Sequence, residues 1–144
     1  MSKAGSPGTR SRARELALQA LYQLQLTDHS AAELLSQFHE RPEYARVDRD
    51  YFDGLMSGVC ERRPQLQERI AAFADRPVVQ LDPVELAILL IGFHELEWQP
   101  EVPFRVVINE SVKLAKRFGA VDGHKYVNAV LDRAVATLRP GEQR

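Results

Sequence analysis

The sequence predicts an all-α chain of six or seven helices. Apolar residues recur at spacings of three and four along most of its length, as one buried helix face requires. Proline and glycine fall where helices would start and stop. No segment shows the convincing apolar–polar alternation of a half-buried strand. At 144 residues the chain has the size of one domain and can bury a single core. The expected layout is a flexible basic lead-in over 1–9, one helical domain over 10–138 and a flexible tail over 139–144.

Gly5, Pro7 and Gly8 with neighbouring Ser and Thr mark the lead-in. Thr9 or Ser11 can cap a first helix whose apolar row is Ala13, Leu16, Ala17, Ala20, Leu21 and Leu24. The run TDHS at 27–30 breaks that helix, and Asp28 or Ser30 can cap a second with Leu34, Leu35 and Phe38. The polar segment from His39 to Val47, with Pro42, reads as a loop. Tyr51, Phe52, Leu55, Met56 and Val59 then share a helix face. Pro64 suits the first turn of a helix carrying Leu66, Ile70 and Phe73, so residues 47–74 are either two helices or one kinked helix. Asp82-Pro83-Val84-Glu85 is the clearest start signal, with Glu85 placed to reach back as in a capping box.

The helix that follows, VELAILLIGFHELEW, is apolar on nearly every side and belongs in the middle of a bundle. VPFRVVI is β-branched enough to suggest a strand, but helical spacing through Val112 and Ala115 makes it helix. Gly119 occupies the place of a left-handed C-cap. Asp122 can cap the last helix, whose inner face is Tyr126 or Val127, Val130, Leu131 and Val135, before Pro140 and Gly141 open the tail.

Composition narrows the function classes. A formal net charge of −1 excludes a uniformly basic nucleic-acid binder, so any such site must be a local patch. Cys60 is the single cysteine, which excludes an intramolecular disulfide, and it reads as a small buried apolar residue. The N-terminus lacks the apolar core of an export signal, and the longest apolar run, Leu86 to Phe93, is too short to span a bilayer. A cytoplasmic protein with no membrane partner is expected. His29, His39, His94 and His124 form no close metal-ligand pair. The charges from Glu43 to Asp53, interleaved with Arg46 and Arg49, describe a solvated face. No glycine loop can cradle phosphate. An enzyme, a metal or a cofactor has no residues to rest on.

Two constellations could recognise a ligand. Arg10, Arg12 and Arg14 head the first helix, and residues 1–14, with Lys3, hold four positive charges and no acidic residue. Arg10 and Arg14 share a face that Leu18 and Tyr22 continue. Guanidinium groups beside an aromatic ring suit RNA, because arginine bonds phosphate and base edges while a ring stacks on an unpaired base. The second constellation is Lys113, Lys116, Arg117, His124, Lys125 and Tyr126. For each, the plainer reading is a solvated basic face, with Tyr126 half-buried and Asp122 a simple cap worth about 1 kcal/mol.

Four segments change that balance: RSRARELALQALY at Arg10–Tyr22, YFDGLMSGV, DPVELAILLIGFHEL, and INESVKLAKRFG followed by DGHKYVNAVLD. In order and spacing they resemble the NusB family of bacterial transcription antitermination factors over nearly the whole chain. The resemblance implies two packed helical bundles and no catalytic site. It implies binding to boxA RNA of ribosomal RNA leaders together with NusE, a small-subunit ribosomal protein, so that RNA polymerase reads through terminators. Carried over by position, Arg10, Arg12, Arg14 and Tyr22 would face RNA, with Asp122, Lys125 and Tyr126 completing the surface. Asp82 and Glu85 would meet NusE. Ser11 stands where many members have arginine, His94 where an aromatic such as tyrosine is frequent, and Gly123 where serine is common. NusB-like domains also precede certain ribosomal RNA cytosine methyltransferases, but 144 residues leave no room for the catalytic domain. A pure assembly protein is the other alternative, since a homodimer could cover the arginine helix.

Overall fold

A computed structural model describes residues 7–142. Seven α-helices run through them: α1 (Pro7–Leu26), α2 (Ala31–His39), α3 (Arg49–Glu61), α4 (Arg63–Ala74), α5 (Pro83–Trp98), α6 (Phe104–Phe118) and α7 (Gly123–Leu138). Short 3-10 helices occupy Pro42–Arg46 and Val78–Gln80, and no strand occurs among the described residues. The all-α expectation holds. The chain divides into two compact units, one ending at Glu61 and the other beginning at Arg62.

In the first unit, α1 lies against α2 and α3. The expected row of α1 is buried from Ala13 to Leu21, Leu24 is half-buried, and Leu18 is buried as well. The helix starts earlier than its sequence suggested. Pro7 is its first residue, a position where a missing N–H costs nothing. Thr9 and Ser11 therefore sit inside it rather than capping it, and residues 1–6 of the expected lead-in lie outside the described residues. Ser30 caps α2 in a full capping box with Glu33, whose side chain accepts from the Ser30 N–H at 2.9 Å. The charged stretch from Glu43 to Asp53 is not wholly a solvated face. Asp48 is buried and caps α3, accepting from the Tyr51 N–H at 3.1 Å. Asp53 is met by His39 Nε2 and by the Tyr44 hydroxyl, each at 2.9 Å.

In the second unit, α5 is the central helix, touched by α4, α6 and α7, and every residue from Leu86 to Leu96 is buried. Residues 47–74 form two helices broken at Arg62, with Pro64 in the first turn of α4. Gly119 is extended (φ −91°, ψ 179°), not left-handed. Glycine is needed there for proximity: a Cβ would sit 2.8 Å from the Ala115 carbonyl oxygen that accepts the Gly119 N–H. The left-handed residues are Asp75 and Asp122. Cys60, expected to be buried, is half-buried.

Arg139, placed by sequence in the tail, is instead buried and ordered by hydrogen bonds. It donates from Nε to the Leu96 carbonyl at 2.6 Å and from Nη2 to those of Glu95, Gln99 and Val102 at 3.0, 3.1 and 2.9 Å. Its Nη1 meets Glu142, whose other carboxylate oxygen accepts the Phe104 N–H at 2.9 Å. One cation thus caps the C-terminal end of α5 while one anion caps the start of α6, each charge matching the local helix dipole.

Candidate nucleic-acid interface

The head of α1 is tied to the start of α3. The Asp48 N–H donates to the Thr9 carbonyl at 3.0 Å, which sets Tyr51, one turn further along α3, beneath the arginines. The Arg10 guanidinium lies 4.2 Å from the centre of the Tyr51 ring, and that of Arg14 lies 5.2 Å from it. Arg14 Nη2 also donates to the Tyr51 hydroxyl at 3.3 Å. Arg10 Nε stands 3.9 Å from the buried Asp48 carboxylate, with its side chain 44% exposed. Arg14 is only 3% exposed, so it is not a surface cation. Sequence spacing correctly paired Arg10 with Arg14 but turned their shared side outward. Leu18, assigned to the same outward row, is buried too.

Arg12 points elsewhere. It is exposed, with no ion pair or hydrogen bond among the described residues. Its face of α1 continues through half-buried Gln19 to exposed Tyr22 and Leu26. Ten residues separate Arg12 from Tyr22, about 15 Å along the helix. The expected set is therefore split: Arg12 and Tyr22 stand free on one side, Arg10 is half-exposed over Tyr51, and Arg14 is buried beneath it.

In the second unit, Asp122 occupies the N-cap position of α7 but does not cap it. Its backbone is left-handed (φ 66°) and its side chain accepts no first-turn N–H. The carboxylate instead pairs with Lys125 Nζ at 3.3 Å, both side chains being largely exposed. Tyr126 is half-buried, and its hydroxyl donates to the Ala74 carbonyl at 3.1 Å. Burial is the main reason its phenol is pushed above the ordinary value, with Arg76 and Arg133 working against that rise. The Arg76 guanidinium lies 4.6 Å from the ring centre. Sequence reading missed Arg76 because the turn after Asp75 joins it to a helix some fifty residues away. Arg133 makes the neighbouring cap, donating twice to the Phe73 carbonyl at 3.2 and 2.7 Å. Lys113 pairs with Glu110 at 2.9 Å, whereas Lys116 is exposed without a partner among the described residues.

Asp82 caps α5, accepting the Glu85 N–H at 3.1 Å. Glu85 does not complete the expected capping box. Its carboxylate lies over Gly123, where a Cβ would fall 2.5 Å from Oε2. Burial, then the Asp82 charge, raises the Glu85 carboxyl above the usual glutamate range, and Arg76 counters part of that. The absent Cβ of Gly123 thus lets the α5 start and the α7 start approach closely. Among the described residues no group of three or more His, Cys, Asp or Glu could hold a metal ion.

The sequence profile of the NusB family matches residues 11–136, a span that takes in Arg12, Arg14, Tyr22, the α5 start and the α7 start and begins one residue after Arg10. The chain belongs to the NusB family. It is 47% identical over 129 residues to the transcription antitermination protein NusB of Nitrosospira multiformis, covering 90% of this chain and 82% of that protein. It is 44% identical over 137 residues to the NusB of Idiomarina loihiensis, covering 95% and 99%. A solved structure of T. maritima NusB shares the fold, with a TM-score of 0.78, 22% identity and coverage of 94% and 93%.

Proposed function

We propose that this chain is a transcription antitermination factor that binds boxA RNA of ribosomal RNA leaders, acting with the ribosomal protein NusE on RNA polymerase. It does so in the cytoplasm, as a binding protein without catalysis or cofactor. The observation that carries the reading is the head of α1, where an unpaired Arg12 and a half-exposed Arg10 crown a helix of the NusB family. Arginine forks can engage phosphates and base edges while exposed Tyr22 offers a stacking face. On α7, Asp122 and Lys125 extend outward, and Tyr126 adds an aromatic edge held rigid by Ala74. Asp82 and Glu85 offer carboxylates to a basic protein such as NusE. A homodimer that covers the exposed α1 face would compete with RNA. No helix among the described residues is long and apolar enough to cross a membrane.

The test is binding to boxA RNA and to a scrambled control, with and without NusE, across a range of salt. Selective binding that NusE strengthens is expected. Equal affinity for both RNAs, unchanged by NusE, would overturn the assignment.

A further inference from the structure

Tyr51 and Asp48 lie beneath the arginines without belonging to the expected RNA-facing set. Asp48 is fixed three ways: it is buried, its carboxylate caps α3, and its N–H holds the Thr9 carbonyl. Tyr51, only 7% exposed, is fixed by its place on the first turn of the capped helix. These two immobile groups meet Arg10 from two directions, the ring at 4.2 Å and the carboxylate at 3.9 Å. Arg14, donating to the Tyr51 hydroxyl, holds the ring from the buried side. We propose that Tyr51 and Asp48 are positioning residues for RNA binding, holding the Arg10 guanidinium ready before RNA arrives; this rests on the RNA reading above.

The physical reason is the entropy of a long side chain. A free arginine loses much of its rotamer freedom when it docks on phosphate, and a pre-placed one does not. The ring face leaves the in-plane N–H donors of the fork unused, and a single carboxylate oxygen at 3.9 Å does not saturate the five that a guanidinium carries. Asp48 also sets a limit, since its negative charge must not be so close that it competes with phosphate. Arg12, with no partner, has no such device and acts as an untethered cation.

The experiment measures dissociation constants for a single-stranded boxA RNA oligonucleotide with the wild type, Tyr51→Leu, Arg10→Ala and the double variant. The Arg10 side-chain Nε–Hε signal in the free protein is followed by NMR in parallel. Tyr51→Leu is expected to weaken binding about fivefold, to shift the Arg10 signal away from its ring-shielded position, and to add nothing once Arg10 is alanine. If Tyr51→Leu does not fold, Asp48→Asn carries the same cycle, because asparagine keeps the α3 cap while removing the charge that faces Arg10. Equal losses from Tyr51→Leu (or Asp48→Asn) in both backgrounds would overturn the positioning role alone. An Arg10→Ala variant that binds as tightly as wild type would instead remove Arg10 from the RNA site and overturn the reading beneath it.

Discussion

A guanidinium carries five N–H donors in one plane, and Arg139 directs its own at the carbonyls of Glu95, Leu96, Gln99 and Val102 and at Glu142. Removing it leaves several buried acceptors unmet, so Arg139→Ala should cost about 3 kcal/mol and lower the melting temperature by about 10 °C. Lysine, a point charge with three donors, should recover only part of that in a thermal melt. His94 makes a different kind of residue-scale case. It is buried, stacks on Trp98 with ring centres 6.2 Å apart, and its Nδ1 has no hydrogen-bond partner. Burial, with help from Arg62, pushes its imidazole down from 6.5 to about 4. A depressed pKa means the unfolded chain takes the proton first. The stability that neutral His94 contributes is complete above pH 6.5 and drains away as the pH falls toward 4. His94→Phe keeps the stacked ring, so urea melts between pH 8 and pH 4 should lose much of their slope. An unchanged slope would place the acid sensitivity elsewhere.

At the scale of elements, helix existence was legible because the period of buried residues is written in the chain itself. An apolar surface on nearly every side marked α5 as the central helix, and helical spacing made α6 a helix despite its β-branched start. Helix ends were legible only where the cap is local, as with Ser30 and Glu33. At other ends the sequence misled: Gly119 is extended against its own helix at Ala115, Asp122 is left-handed and pairs with Lys125 without capping, and Glu85 is drawn away by a tertiary contact with Gly123. The arginines failed the same way. Spacing paired Arg10 with Arg14, but only the position of Tyr51 on α3 decides that this side is partly buried. Asp122 allows a test that separates strain from recognition. Glycine adopts φ 66° without a Cβ clash, and the exposed ion pair with Lys125 that it forfeits is worth little. Asp122→Gly should therefore raise stability by about 0.5 kcal/mol while weakening boxA binding. A variant that gained stability and kept full RNA affinity would leave Asp122 a turn residue only.

For the whole molecule, a net charge of −1 means that the proposed affinity for RNA must come from a few placed cations rather than from a general field. Each phosphate contact that is lost should then be visible as a change in salt dependence. Arg12, exposed and without a partner, is the cleanest probe. Arg12→Ala should weaken binding to all RNAs alike and reduce the slope of log K against log salt by about one. The proposed protein partner calls for the opposite chemistry. Asp82 and Glu85 are anions at the α5 start, and Glu85 lies against Gly123 beside Asp122 and Lys125, so within this unit the two proposed surfaces adjoin. Asp82→Asn keeps an oxygen for the α5 cap, and Glu85→Gln keeps the shape over Gly123. The double variant should melt within a few degrees of wild type and bind boxA RNA alone without loss. Under the proposed NusE contact, its affinity for NusE should fall, and with it any gain in RNA binding that NusE confers. Because the Glu85 carboxyl is raised, its charge is lost earlier than usual as the pH falls. The proposed NusE binding by the wild type should then weaken as the pH falls, beginning above the usual glutamate range, and the double variant should not follow it. If both proteins bound NusE equally across that range, the acidic surface at the α5 start would not be the contact, and the exposed valines nearby, Val79 and Val121, would be the next substitutions to make.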